Sequence, residues 1–211
     1  MQDDSLNQFL EGFKGFRKKF FQQQDFYQHL STSGQSPEHL VITCSDSRVD
    51  PSTLFETNPG DIFVVRNVAN LVPPYEKGGG FHGVSAAIEF AVQNIKVKNI
   101  IVLGHRQCGG IRALMDSENM QKDSFVSQWM KIAEKAKISV LKKQPDADFE
   151  SKCRHCEEEA IKVSIENLRT FPFIQKNETL GLVTILGLYF DLEQGHLYSL
   201  TNRSENFQQI L

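Results

Sequence analysis

Hydrophobic positions change their period several times along the chain, and each change predicts an element. Leu6, Phe9, Leu10, Phe13, Phe16, Phe20 and Phe21 recur at spacings of three and four among Lys, Arg and Gln, which predicts an amphipathic helix. The runs His39–Cys44, Asp61–Arg66 and Asn99–Gly104 are instead short, β-branched and continuously apolar. Such runs predict strands covered on both faces, as in a parallel sheet. The turn signal Asn58-Pro59-Gly60 precedes the second of them. Between the second and third, the alanine-rich stretch Val84–Val92 predicts a helix packed closely on that sheet. Further helices are expected around Phe125–Leu141 and Glu157–Leu168, ahead of Pro172. Two last strands, near Leu182–Phe190 and His196–Leu200, flank the turn Glu193-Gln194-Gly195. Alternating strands and helices place the chain in the α/β class: an open, mostly parallel sheet flanked by helices, with an N-terminal helical arm. No repeat or linker-like tract interrupts it. The expected organisation is one domain over 1–211, with the arm at 1–33 and the α/β core at 35–211.

Composition narrows the function. The 211 residues carry 23 basic and 26 acidic side chains, a formal charge of −3, which argues against a nucleic-acid partner because neutralising phosphates needs a basic surplus. The start Met-Gln-Asp-Asp-Ser-Leu has no basic segment leading into an apolar one, so the expected location is cytoplasmic. The longest nearly unbroken apolar run, Leu180–Phe190, falls short of the ~20 residues a membrane span needs, and no membrane association is expected. Four cysteines, Cys44, Cys108, Cys153 and Cys156, are too few to scaffold a secreted chain of this length. The question becomes what thiols do in a reducing compartment.

Two motifs follow predicted strands: Cys44-Ser-Asp46-Ser-Arg48 and His105-Arg-Gln-Cys108-Gly-Gly110. Ligand sites of open α/β sheets form at the carboxyl ends of strands where the winding direction reverses, so both motifs point at one crevice. Cys44, His105 and Cys108 offer two thiolates and an imidazole, a set that suits Zn²⁺ with one position left open, as in catalytic sites. Each piece alone has a plainer reading, since a buried cysteine at a strand end is a small hydrophobe and an isolated His-x-x-Cys is a weak signal. Their combination with Asp46 and Arg48 favours a shared zinc site. Two further patterns are set aside. Gly78-Gly-Gly-Phe-His-Gly83 matches a dinucleotide fingerprint but follows a Pro-Pro loop rather than a strand. Cys153-Arg-His-Cys156 is expected to precede a Glu-rich helix with no second pair facing it, and both thiols read as bystanders.

These motifs, with Phe63-Val-Val-Arg-Asn67 and Glu89-Phe-Ala-Val92, resemble those of the β-class carbonic anhydrases, plant-like branch. The match runs in order from about Gln35 to Arg112, and more loosely from Cys156-Glu-Glu-Glu-Ala through Thr170-Phe-Pro-Phe173. The resemblance implies a zinc lyase, carbonate dehydratase, that reversibly hydrates CO₂ to bicarbonate and a proton by attack of zinc-bound hydroxide. It assigns Cys44, His105 and Cys108 as zinc ligands. Asp46 either accepts a hydrogen bond from the zinc-bound water or, in a closed form, binds zinc itself, and Arg48 is its salt-bridge partner. Gln35 and the Gly109 amide would bind substrate, and Phe63, Val68 and Phe90 would line an apolar pocket for CO₂. Family members are homodimers or multiples of dimers, with the N-terminal helix laid across the neighbouring subunit.

Departures from the family bear on finer points. Phe90 stands where Tyr is usual and Asn94 where His occurs, so neither relays a proton; His82 is either a substitute shuttle or a water-exposed loop residue. Val41 and Thr43 replace the Trp and Gly of the bacterial branch, so no second, inhibitory bicarbonate site is expected. Leu186-Gly-Leu188 replaces a frequent His-Gly-Trp. Two thiolates cancel the formal charge of the metal, so activity is expected to rise through mildly alkaline pH. The rival readings are CS₂ or COS hydrolysis on the same zinc scaffold, or a non-catalytic zinc-binding or sensing protein. The Asp46–Arg48 pair argues against the last.

Overall fold

The computed structural model describes residues 4–22, 26–78, 80–200 and 206–211. The chain divides into two compact units, Met1–Ser36 and Pro37–Leu211. In the first, α1 (Asp4–Arg17) continues into a π-helical turn at Lys18–Gln22 and is followed by α2 (Phe26–Ser33). The phenylalanine stripe divides in two. Phe16 and Phe20 meet the Tyr27 ring edge-on at centroid distances of 5.4 and 6.1 Å and the half-exposed Phe21 stacks on it at 4.9 Å, whereas Leu6, Phe9, Leu10 and Phe13 stay exposed.

The second unit contains, in order, β1 (His39–Cys44), α3 (Pro51–Leu54), β2 (Ile62–Asn67), α4 (Gly83–Glu89), β3 (Asn99–His105), α5 (Gly109–Met115), α6 (Phe125–Met130), α7 (Glu134–Lys143), α8 (Phe149–Leu168), α9 (Pro172–Thr179), β4 (Thr184–Asp191), β5 (His196–Leu200) and β6 (Phe207–Gln209). The strands form one sheet in the order β2-β1-β3-β4-β5-β6. The first four are parallel, and β5 and β6 are antiparallel. This is the open, mostly parallel α/β sheet the hydrophobic runs predict. From β1 the chain winds outward to β2, then crosses back over β1 to β3. That reversal sets the carboxyl ends of β1 and β3 side by side, with Thr43 in register with Leu103.

The main core joins the sheet to its covering helices through Leu40, Ile42, Ile88, Ile100, Val102, Ile161 and Tyr189. A second core gathers Cys44 and residues that follow the strand ends, including Val49, Leu71 and Cys108, with Ile111, Leu114, Met130, Val140 and Cys156 of the helices α5 to α8.

Several boundaries differ from expectation. The helix after Val84 opens into a π-helical turn at Phe90–Ile95. The segment predicted at Phe125–Leu141 is split by a 3₁₀ turn at Lys131–Ala133. Helix α8 begins at Phe149 rather than Glu157, because its capping residue lies further back: the Asp148 side chain accepts the Ser151 N–H at 3.0 Å. Cys153 and Cys156 therefore lie inside the helix, buried, and not ahead of it. Strand β6 was not foreseen, since Phe-Gln-Gln is too short and polar to signal itself.

Candidate metal centre

Cys44 is the last residue of β1, His105 the last of β3, and Cys108 caps α5. The two motifs thus begin on the strands themselves. The donor atoms of Cys44, His105 and Cys108 lie within 4.8 Å of one another, and the two sulfurs are 4.0 Å apart. His105 Nδ1 bonds the Arg106 carbonyl oxygen at 2.9 Å. A carbonyl only accepts, so the proton sits on Nδ1 and the lone pair on Nε2. That Nε2 is buried and has no hydrogen-bond partner. An orphaned imidazole nitrogen among two sulfurs is a site that a metal ion satisfies, and the donor set fits zinc.

By themselves the two sulfurs share one negative charge unequally. Cys44 is drawn below the ordinary thiol range by the hydrogen bond from Cys108; burial opposes this, while His105 and the N–H groups of Asp46 and Ala69 assist. The same contact, with burial, pushes Cys108 up, although the Gly110 and Ile111 N–H groups at the start of α5 favour its thiolate. Burial opposes charge on His105, but Cys44, the Arg106 carbonyl and Asp46 outweigh it and raise its pKa. Gly110 is required by crowding: a Cβ there would lie 2.7 Å from Val68 Cγ1 and 3.1 Å from Ala69 Cβ. Ala69 and Asn70 reach this tight turn with left-handed φ of 64° and 49°, and the Trp129 indole N–H holds the Val68 carbonyl at 2.8 Å.

Arg48 grips Asp46 twice. Its Nε donates to Oδ1 at 3.0 Å and its Nη2 to Oδ2 at 2.8 Å, and the Arg48 backbone N–H adds a third bond to Oδ1. This guanidinium holds the Asp46 carboxyl well below the usual carboxylate range. Oδ2 accepts only one of these bonds and lies 4.0 Å from His105 Nε2, so its remaining lone pairs are available on the side of the ligand cluster. Arg48 Nη2 also donates to the Gln107 carbonyl at 3.2 Å, tying the two motifs together.

The other expected site residues are distributed unevenly. Gly109 is the exposed first residue of α5, where backbone N–H groups have no partner within the helix. Phe63 and Phe90 place their rings 6.1 Å apart, and Val68 is partly exposed beside Gly110. Gln35 is an exposed residue of the first unit, whereas the three ligands belong to the second. His82 is exposed at the start of α4 and lines a recess of about 610 Å³ with Tyr75, Phe81, Phe125 and Trp129, which includes none of the ligands. Cys153 and Cys156 are buried thiols that burial pushes up to about 11 and about 12, and among the described residues neither joins a group of three possible metal ligands.

Three supporting residues were missed. Arg66, at the end of β2, donates to the carbonyls of Cys44 at 3.0 Å and Asp46 at 2.7 Å and pairs with Asp50 at 3.0 Å. Its place in Phe63-Val-Val-Arg-Asn67 was the available signal. Glu157 of α8 and Tyr189 of β4 are buried behind Cys108, and burial pushes the Glu157 carboxyl up to about 7. Three successive glutamates, 157 to 159, conceal in sequence which one turns inward.

Known proteins share this arrangement. A family profile described as carbonic anhydrase matches residues 39–197. The chain is 40% identical over 190 residues to β-carbonic anhydrase 5, chloroplastic, of Arabidopsis thaliana, covering 89% of this chain. It spans only 62% of that relative's length. The β-carbonic anhydrase CcaA superposes with a TM-score of 0.92 at 31% identity, over 99% of this chain and 93% of that one. One of two tetrameric β-carbonic anhydrases from the filamentous ascomycete Sordaria macrospora superposes with a TM-score of 0.80 at 27% identity, over 94% and 98%. Sheet order, the paired cysteines and histidine at adjoining strand ends, and the extent of these matches lead to one conclusion: the chain belongs to the β-class carbonic anhydrases.

Proposed function

We propose that the chain reversibly hydrates CO₂ to bicarbonate and a proton, with Cys44, His105 and Cys108 holding a zinc ion. The observation that carries this reading is the partnerless His105 Nε2 beside two sulfurs, with the Asp46 carboxylate fixed by Arg48 at 4.0 Å. A zinc ion held there would supply Lewis-acid chemistry for the activation of water. Arg48 keeps Asp46 ionised and aimed, so that Oδ2 would be an acceptor for a hydroxyl or water proton beside the ligand cluster. Phe63, Val68 and Phe90 offer an apolar surface suited to CO₂, and the Gly109 N–H is a donor suited to the charged product.

Stopped-flow CO₂ hydration by the purified chain, with metal content measured in parallel, tests the proposal. Activity should track bound zinc, disappear with chelation and rise through mildly alkaline pH. Full zinc occupancy without CO₂ hydration at any alkaline pH would overturn it, and turnover of CS₂ or COS in the same sample would redirect it.

We further propose a homodimer or a multiple of dimers. The tetrameric relatives and the uncovered apolar half of α1 support this, and light scattering showing a monomer would refute it. A cytoplasmic location is proposed from four free cysteines, which suit a reducing compartment. No helix among the described residues is long and apolar enough to cross a membrane.

A further inference from the structure

We infer that Glu157 and Tyr189 act together as positioning residues for the Cys108 side of the metal centre. Glu157 is 3% exposed and Tyr189 fully buried. One carboxylate oxygen, Oε1, accepts the Cys108 backbone N–H at 2.9 Å, and the other, Oε2, accepts the Tyr189 hydroxyl at 2.8 Å. Among the described residues no lysine or arginine forms an ion pair with it. A buried carboxylate without a counter-ion is costly unless its hydrogen bonds are good ones, and here one of the two is given to the backbone of a metal-ligand residue.

The placement follows from how closely α8 lies on the sheet. A Cβ on Gly104 would come within 2.6 Å of Ile161 Cδ1, and one on Gly187 within 3.0 Å of Ile165 Cδ1 and 3.1 Å of Ile161 Cγ2. Two glycines on neighbouring strands thus let Ile161 seat directly on β3 and β4. Glu157, one turn earlier on the same helix face, then meets Cys108 from behind, and Tyr189, in register with Gly104, meets Glu157 from below. Fixing the Cys108 N–H holds that residue in the extended conformation (φ −68°, ψ 117°) that caps α5. In that conformation its sulfur faces the N–H groups of Gly110 and Ile111. Without the bond, the Cys108 backbone would lose the one side chain that fixes its N–H.

This inference rests on the metal reading above. The test measures zinc release from the full-length holoprotein to an excess of chelator, below the melting temperature of every variant, and the sulfur-to-metal absorption of the cobalt(II) form. Partners that orient metal ligands typically contribute 10- to 100-fold to affinity, so Glu157→Ala should release zinc about tenfold faster or more and alter the cobalt spectrum. Glu157→Gln keeps an acceptor for the Cys108 N–H and should stay within about threefold of the parent protein; Tyr189→Phe should fall between the two. Glu159→Ala, on the same helix but paired with Lys162 and Ser139, should release zinc at the parent rate. Release and spectrum unchanged in Glu157→Ala, with only the melting temperature lowered, would overturn the inference. Release from Glu157→Gln as fast as from Glu157→Ala would overturn it too, by assigning the effect to charge. If Glu157→Ala does not fold, Tyr189→Phe decides: release at the parent rate overturns the inference. A parent protein that takes up no zinc would instead refute the metal reading.

Discussion

The two limbs of the metal centre are built on opposite principles. The first, Cys44 to Arg48, is held by arginines at the surface: Arg48, nearly half exposed, clasps Asp46, and Arg66 clasps the carbonyls of Cys44 and Asp46. The second, His105 to Gly110, is held from inside by the Arg106 carbonyl, the start of α5, and Glu157 with Tyr189. An exposed guanidinium clasp competes with water and is weakly held, whereas a buried bond has no competitor and is costly to break. The first limb is therefore suited to carry the adjustable carboxylate, and the second to keep its own two candidate ligands, His105 and Cys108, in place.

Changes at the ligands should have the largest effect. Cys108→Ser should lose zinc and with it all measurable CO₂ hydration, whereas Cys156→Ser, in the same core, should keep both; metal analysis of the two purified variants checks this. Next, Arg48→Ala should leave zinc content intact yet lower kcat by about 10²-fold, the scale of a lost proton-handling group, as read by stopped-flow hydration. Zinc loss from Arg48→Ala would show that the arginine clasp is also needed to hold metal, and the comparison would fail. Gly110→Ala, which drives a methyl against Val68 and Ala69, should destabilise the chain by about 1–3 kcal/mol in denaturant unfolding, the usual cost of overpacking.

The smallest effect is one of pH. Arg48 lowers the folded-state pKa of Asp46. Its contribution to stability is therefore complete above the unfolded value of ~3.9 and is lost as pH falls through the lower folded value. The melting temperature of Asp46→Asn should thus lie below that of the parent at neutral pH, and the gap should close only in strong acid. The absence of any such gap at neutral pH would mean the clasp is not formed in solution.

What the sequence made legible follows the same division. Strands β1, β3 and β4 showed themselves because a short, continuous apolar run fits little besides a strand covered on both faces, and the cluster of candidate ligands stood out because cysteine and histidine at strand ends carry their chemistry openly. The supports of the second limb did not. Glu157 reads as one of three surface-like glutamates until the helix that carries it is known to be capped by Asp148, well before that glutamate, and Tyr189 reads as one more apolar strand residue. Backbone bonds such as that to the Cys108 N–H leave no mark on residue types, so these roles became visible only once α8 was set against Gly104 and Gly187.

Cys44 and Cys108 are separated by 64 residues, and strand β2 and helix α4 lie between them. No local peptide of this chain holds all three ligands, so the site exists only after β1 and β3 have paired, a late and entropically demanding closure. Zinc then favours the finished fold over the open chain, by about 2.7 kcal/mol at a free concentration a hundred times its dissociation constant. Heat tolerance of this protein should consequently vary with metal supply, and scarcity of zinc should shorten the life of the molecule as well as silence it.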